Sequence, residues 1–525
     1  MNRSKKQILF ILLVLIIVSF VAYEVGERVL SNTLVKKVQK TSAGHYTLAF
    51  DKLTICIFPL GVELDSVRLW SENKVYAQLD STTFILPEIS VKTFGVHGLS
   101  LWKLVFENEF NLAGVTLVAP VLSVAVTSRD TVPAFSLESP ESGKGRKLVI
   151  GSVEVREAAV KATKGKSKLE CRVEVALQHL SAGQRQSFTT QVEHIEVSKF
   201  VYRTPDGFYD LKMDGMHYMG ASEELKMLQM EVEPLVGKYE IGKLKGHESD
   251  WVKAEIGQLT LQDFEVGLLI DSGDVVMSKA ELSGVRATIF RDKRQPFPDI
   301  PDKKLPSQRI GGFDQKLHID TLLVSDTDIT YIEHISGDHP GTALFKDIQI
   351  KGGPLANAQN TRMVLAASAM IMDRGLLEAD FEFAINDSTR QSKVKGTMHQ
   401  IELAAFNPMT NYVANLNIKS GMLNSMDFNF EYNHRSSHGE MRMLYKDLDF
   451  ELVETEGKKM KAGLDEKLMT FVAKSFIVKK KNEAGEQVRI GNIEFERDPK
   501  KLIFNYWWKS ILSGVKSSAG LSEEK

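Results

Sequence analysis

Apolar and polar residues alternate along most of the chain after residue 50. The alternation is clearest in Leu53–Ile57, Phe381–Ile385, Phe428–Tyr432 and Leu448–Leu452. A period of two is typical of β-strands that bury one face and leave the other in water. The pattern therefore predicts a mainly β fold.

A longer repeat is superimposed on this alternation. Apolar residues recur at offsets 0, 3, 5, 8 and 10 in segments that begin at Leu112, Ile150, Val192, Ile256 and Ile319, the last with a polar lapse at Thr327. Looser copies begin at Phe345 and Ile418. The apolar residues of the first strand (offsets 3 and 5) and those of the second (offsets 8 and 10) are an odd number of positions apart, so in a regular strand they would lie on opposite faces. A bulge or tight corner must therefore absorb one residue between the two strands. The repeat predicts bent strand pairs that keep one apolar face inside.

Stacked copies of such a unit bury their apolar faces only against their neighbours. We therefore expect an elongated, strongly curved, repeating β-groove with a few short helices. An alternative is that the two walls pack against each other as a dry sandwich core. The residues expected to line the groove are Ile195, Val197, Leu259, Leu261, Phe264, Val266, Leu322, Val324, Phe381, Phe383, Phe428 and Phe430.

The N-terminus contains an unbroken apolar run from Ile8 to Tyr23. As a helix it would extend roughly 24 Å, and preceding lysines can lengthen its reach toward the ~30 Å core of a bilayer. The run predicts an uncleaved transmembrane signal anchor followed by a helical stalk to about Lys40. A cleaved signal peptide, for which Phe20 and Ala22 form a poor cleavage site, and a buried core helix are the alternatives. The anchor is represented by Ile8, Leu12, Leu15 and Phe20.

The charges that flank this run predict its orientation. Arg3, Lys5 and Lys6 precede the run, and basic residues in short tails favour the cytoplasmic side. We therefore expect a single-pass protein of the cell inner membrane whose bulk lies in the periplasm, with the inner membrane bilayer as a partner.

The C-terminal segment Pro499–Lys516 has the spacing of an amphipathic helix, whose apolar face contains Ile503, Phe504, Trp507, Trp508, Ile511 and Val515. One interpretation is a helix that packs across the end of the sheet and covers its edge. The other is an interfacial membrane helix, because Trp and Lys favour the headgroup boundary. In that case Trp507, Trp508 and Ile511 would contact lipid.

Breaks in the pattern suggest five parts. Four prolines between Arg291 and Gly312 indicate a strap over a sheet edge or a linker. Short helices are predicted at Ala221–Met230 and Asp465–Lys474. The expected parts are residues 1–40 (tail, anchor and stalk), 41–290 (first part of the groove), 291–312 (strap or linker), 313–497 (second part of the groove) and 498–525 (C-terminal helix and tail).

Composition narrows the classes of partner. The formal net charge is -2, which gives no reason to expect a nucleic-acid partner. The two cysteines, Cys56 and Cys171, lie in strand-like patterns. An exported protein could join them in a disulfide, and two free thiols are the alternative.

We find no convincing catalytic pattern. Glu333, His334, Asp338 and His339 cluster around a Gly and a Pro, without the helical spacing of a zinc-binding pair. We therefore expect no catalytic residues, no metal and no cofactor. A hydrolase of envelope polymers is the weakest alternative.

Several segments resemble the AsmA-like family of envelope proteins. They are the anchor, the recurring apolar pairs, FRDKRQPFPDIPDKKLP leading into LHIDTLLVSDTDITYIEH, the following Gly341 and Phe345, and the closing stretch from Asn415 to Leu452. The resemblance covers about residues 1–515 and is strongest between Ala280 and Trp508.

The resemblance implies a function in outer-membrane biogenesis. A protein of this family would be held in the inner membrane by one helix and would bind or conduct phospholipid acyl chains along its groove. Phospholipid and outer-membrane or other envelope proteins are the implied partners. The alternative function is a non-enzymatic scaffold or assembly factor for outer-membrane proteins.

Overall fold

The computed structural model describes residues 25–40, 42, 44–71, 76–79, 82–107, 109–126, 134–136, 147–183, 186–386, 391–452, 478–483 and 487–520. The described chain is mainly β, as predicted. It forms two compact units, Met1–Ala221 and Ser222–Lys525. The segment 291–312 lies inside the second unit.

The first unit is an antiparallel sheet with two parallel joints. Strand β3 pairs with β1 and β2 on one side and with β5 on the other. Strands β6 and β7 both lie between β5 and β9 and pair with each of them. Strands β10, β11 and β12 then follow β9 in order. Strand β9 runs parallel to β6 and β7, and β4 pairs with β5 and, in parallel, with β8. The elements are α1 (25–40), β1 (Thr47–Ala49), β2 (Lys52–Ile57), β3 (Leu60–Trp70), β4 (Tyr76–Leu79), β5 (Thr82–His97), α2 (Leu101–Phe106), β6 (Glu109–Val118), β7 (Val121–Val126), β8 (Ala134–Ser136), β9 (Lys147–Lys164), β10 (Ser167–Gly183), β11 (Gln186–Arg203) and β12 (Tyr209–Met219).

The second unit contains a sheet that runs from β13 to β25. Its strands pair in chain order and antiparallel, except that β15 and β16 are parallel and β18 and β22 are short side pairings. The elements are β13 (Glu224–Pro234), α3 (Glu240–Lys245), β14 (Asp250–Gln262), α4 (Val266–Asp271), β15 (Val275–Asp292), α5 (Pro306–Ile310), β16 (Leu317–His334), β17 (Gly341–Gly353), β18 (Leu355–Ala356), β19 (Thr361–Ile371), β20 (Gly375–Ile385), β21 (Ser392–Met398), β22 (Ile401–Glu402), a 3-10 turn (Leu403–Phe406), α6 (Asn407–Val413), β23 (Leu416–Tyr432), β24 (Ser436–Leu452), β25 (Ile490–Glu496) and α7 (Ile503–Ser518).

The one-residue slip predicted from the repeat is confirmed. In each of the five segments, the residue at offset 7 has a positive φ, and in the four segments that continue as strands this removes it from the alternation and keeps the apolar side chains on one face. These residues are Ala119 (φ 47), Glu157 (φ 54), Lys199 (φ 52), Asp263 (φ 50) and Asp326 (φ 45). The same position between two apolar pairs is left-handed in other strands, at Ser66, His179, Gln229, Gly284, Asp347 and Asp447.

The predicted localisation requires correction. Within the described part of the chain, no helix combines the length and the apolar character needed to cross a membrane. Helix α1 extends to Lys40 as the stalk prediction requires, but it carries Glu27, Arg28, Lys36 and Lys37 as well. A single-pass inner membrane protein is therefore not what the described residues support. The predicted anchor residues Ile8, Leu12, Leu15 and Phe20 lie outside the described residues.

Two local predictions are wrong. Residues 221–230 form a turn and most of β13 rather than a helix, because the apolar residues of this segment pair across β14. Val266 begins α4 instead of a second strand, since the chain turns at the left-handed Asp263 and the Phe264 side chain is buried. The helix predicted at 465–474 lies outside the described residues. Cys56 and Cys171 are free thiols.

Candidate functional site

Two apolar rows run across the sheet of the second unit on one face. Residues directly opposite each other in neighbouring strands share a face, so the pairing register identifies the members of each row. The first row is Leu259, Leu282, Val324, Ile350, Ala367, Ala379, Gly396, Phe428, Met441 and Gly491. The second row is Leu261, Ala280, Leu322, Gly352, Leu365, Phe381, Val394, Phe430, Gly439 and Ile493.

The opposite face of the same strands is largely polar. The row between the two apolar rows points to the other side of the sheet and contains Thr260, Glu281, Leu323, Lys351, Ala366, Asp380, Lys395, Asn429, Glu440 and Asn492. The sheet is therefore amphipathic, as the alternation predicts.

The two ends of the apolar rows differ in burial. Toward the C-terminus, Phe428 is 3% exposed, Phe430 1% and Met441 0%. The large side chains that the two rows place on β14–β17 are each half-buried instead. We name these the open apolar face, which consists of Leu259, Leu261, Leu282, Leu322, Val324 and Ile350. The side chains of the open apolar face leave apolar surface accessible, whereas those of Phe428, Phe430 and Met441 are covered by the rest of the protein.

Helix α7 covers the C-terminal part of the rows. Its buried residues are Tyr506, Ser510, Gly514 and Ser518, spaced four apart along one stripe. Glycines permit this close packing, since a Cβ at Gly491 would lie 2.5 Å from the Gly514 carbonyl oxygen. The structure therefore favours the interpretation in which the helix packs on the end of the sheet.

The same helix also satisfies the edge of β25. Ser517 Oγ accepts a hydrogen bond from the Asn492 backbone N–H at 2.9 Å, and Ser513 Oγ accepts one from Glu494 at 3.1 Å. An open edge strand would present these donors to another chain. Helix α7 therefore blocks strand addition at these two positions of β25.

The proline-rich segment crosses from β14 to the C-terminal strands. We call residues 293–305 the strap. Pro296 O accepts a hydrogen bond from Glu248 N at 2.8 Å, and Lys303 N donates to Pro499 O at 2.8 Å. Leu305 belongs to the core that α7 covers. The strap is therefore a crossover between the parallel strands β15 and β16, and it packs on the apolar side of the sheet.

A charged cluster lies at the ends of β14, β15 and β16. Arg291 pairs with Asp250 at 2.6 Å, and Lys293 pairs with Glu333 at 2.7 Å. Glu248 Oε2 is buried without a hydrogen-bond partner among the described residues. Desolvation by burial raises the pKa of Glu248, although Lys501 and Lys293 oppose this shift. Burial also lowers the pKa of Lys501.

The first unit repeats the amphipathic arrangement. Helix α1 covers one end of its apolar row, with Leu30 and Leu34 packed against the cluster that contains Leu53 and Leu64. Further along the row the side chains from Phe94 to Ile195 are half-buried. The row consists of Leu53, Leu64, Phe94, Leu117, Val155, Val175, Ile195 and Tyr218.

The predicted groove residues fall into two sets. Four are buried within the protein, namely Phe264, Phe383, Phe428 and Phe430. Eight are half-buried, namely Ile195, Val197, Leu259, Leu261, Val266, Leu322, Val324 and Phe381. Of the predicted interfacial residues, Trp507 and Ile511 pack against the C-terminal core, and Trp508 is 56% exposed. Sequence reasoning missed Leu282 and Ile350, although their alternation with polar residues was a usable signal.

The acidic and histidine cluster near Glu333 has structural roles. Glu333 pairs with Lys293, and His334 Nδ1 lies 3.0 Å from Tyr239 Oη. In the part of the chain that the structure describes, no group of three or more His, Cys, Asp or Glu residues is placed to hold a metal ion.

Neither a scan against models of protein families nor a search of curated proteins gives a match to this chain. Similarity to the AsmA-like family therefore stays a prediction from the segments quoted above.

Proposed function

We propose that the protein binds phospholipid acyl chains on the open apolar face and holds or conducts them during outer-membrane biogenesis. The supporting observation is the half-burial of six large apolar residues in register on four adjacent strands. An acyl chain that covers them gains ~0.8 kcal/mol for each buried CH₂ group. Many equivalent contacts of this size let a chain move along the face without leaving it.

Photo-crosslinking at two adjacent leucines tests the proposal. Leu322 belongs to the open apolar face, whereas Leu323 is half-buried on the opposite face beside Glu281 and Lys351. A photoreactive residue at position 322 should give phospholipid adducts in cells, and the same residue at position 323 should give several-fold fewer. Equal yields, or protein adducts alone at position 322, would count against lipid binding and favour the scaffold alternative.

A substitution tests the same face by affinity. We expect Leu261→Asp to lower the amount of co-purified phospholipid by roughly tenfold or more, because a charge that loses its water beside an acyl chain costs more than ~1.4 kcal/mol. Leu323→Asp is the control on the opposite face. Circular dichroism and thermal unfolding of both variants separate loss of lipid from loss of fold.

A further inference from the structure

A second apolar surface lies at one end of the first unit. We name it the docking patch, and it consists of Ile57, Phe58, Leu101, Trp102, Val105 and Phe106. Phe58 is 99% exposed at the turn between β2 and β3, and the four residues of α2 are 56–69% exposed. Helix α2 buries none of its residues. Large exposed apolar patches on a folded protein mark interaction sites.

Backbone hydrogen bonds hold the two parts of the patch at the same end. Leu99 N donates to Leu60 O at 3.0 Å, which joins the start of α2 to the β2–β3 turn. Ser100 N donates to Asn111 O at 2.9 Å, and Ser100 Oγ caps the first turn of α2. The Trp102 and Phe106 rings lie 4.2 Å apart. The patch is therefore fixed by the sheet.

The described part of helix α1 begins at this end as well. Glu27 Oε1 accepts a hydrogen bond from Ile55 N at 3.2 Å, two residues before the exposed Ile57. Val25 and Val29 of the same helix are 53% and 60% exposed. The apolar sequence Ile8–Tyr23 therefore joins the described chain beside the docking patch. A lipid bilayer is a surface that accommodates the exposed apolar side chains of the patch.

Charge contributes little to the patch. Lys103 is the basic residue of α2, and its Nζ lies 3.4 Å from Glu109 Oε1. The other carboxylate oxygen, Glu109 Oε2, lies 3.2 Å from Lys147 Nζ. Attraction to anionic headgroups should therefore be weak, and association should depend on the aromatic and aliphatic side chains.

We propose that the docking patch lies in the headgroup region of a lipid bilayer, in peripheral contact. The patch is at the ends of β3, β5 and β6, which the pairing of these strands places side by side.

A fluorescent label at the patch tests the contact. The full chain carries Cys56→Ser and Cys171→Ser, and a single cysteine replaces Phe106 and is coupled to the polarity-sensitive dye NBD. The control label replaces Asp206, exposed in the turn between β11 and β12 at the opposite end of the strands. Vesicles consist of phosphatidylcholine, with or without about one quarter phosphatidylglycerol.

When vesicles are added, the emission of the label at position 106 should shift to shorter wavelength and increase several-fold, to a similar extent with both compositions. Spin labels attached to lipid headgroups should quench this emission. The label at position 206 should not change. An unchanged label at position 106 on sedimented vesicles would overturn the proposal. So would a label at position 106 that is already blue-shifted without vesicles, because residues 1–24 or a second copy would then cover the patch. Lipid adducts at Leu322 are scored separately, so either proposal can fail alone.

Discussion

Left-handed residues shape the strands of both units. A non-glycine residue with positive φ is costly for most side chains, and Asp is among those that tolerate it best. Asp263, Asp326, Asp347 and Asp447 occupy such positions. The side chains of Asp326 and Asp347 also accept hydrogen bonds, Asp326 Oδ1 from Arg286 at 2.6 Å and Asp347 Oδ1 from Gln349 Nε2 at 3.2 Å. Asp326, Asp347 and Asp447 each lie within one strand and shift its alternation by one residue, so that its apolar side chains stay on the same face.

We expect Lys199→Val to destabilise the protein by about 1–2 kcal/mol relative to Lys199→Gly, because a β-branched residue is strained at φ 52 and glycine is not. Denaturant unfolding of the two variants measures the difference. Lys161→Val, at an exposed strand position without a positive φ, is the control and should change stability little. Equal stability of the two Lys199 variants would contradict the role of the bulge.

The half-buried Glu248 predicts a pH effect. Its pKa is raised in the folded state, so the folded protein binds a proton more tightly than the unfolded chain does. Stability from this group is present below the ordinary glutamate pKa and is lost as pH rises through the raised value. Glu248→Gln should therefore raise the melting temperature near neutral pH and lose this advantage in mild acid. A constant difference across this range would show that Glu248 does not titrate as described.

At the residue scale, much of the strand pattern could be predicted from sequence. The parity slip at Lys199 or Asp326 follows from the spacing of flanking apolar residues. The different burial of Leu259 and Phe428 could not be predicted, because both occur in the same kind of alternating strand. Phe428 belongs to the core that α7 covers, and α7 lies far along the chain, so local periodicity carries no information about this burial.

At the scale of elements, α7 protects a sheet edge with its serine side chains. We expect Ser513→Ala together with Ser517→Ala to destabilise the second unit by about 1 kcal/mol for each lost hydrogen bond. Hydrogen exchange at the Asn492 and Glu494 amides should accelerate. Lys509→Ala on the same helix is the control and should leave these amides protected.

The sequence pattern identified α7 but misassigned part of its contact face. Phe504 and Trp508 are apolar and lie on the predicted face, yet they are 70% and 56% exposed. The buried stripe instead contains Ser510, Gly514 and Ser518, whose small size allows the helix to approach β25. Hydrophobicity alone could not indicate that small residues would form the contact.

At the scale of the whole molecule, each unit covers one end of its apolar row with a helix. Helix α1 does so in the first unit, and α7 with the strap does so in the second. Both units retain half-buried apolar side chains in other strands. Half-buried apolar side chains are thus spread along the sheet of each unit.

Lipid binding should depend little on ionic strength. The open apolar face contains no charged residue, so its contacts are not screened by salt. We expect the amount of bound radiolabelled phosphatidylcholine to change by less than about twofold between about 0.01 M and 1 M NaCl. A steep fall at high salt would indicate that charged groups hold the headgroup and that the apolar face is secondary.

The strap also has a consequence for synthesis on the ribosome. Asp299 pairs with Lys500 at 2.8 Å, a partner 201 positions later in the chain. The strap therefore cannot complete this contact until residue 500 has been translated. Until then, apolar strands that have already emerged lack their C-terminal cover, and transiently exposed apolar surface of this kind is prone to aggregation.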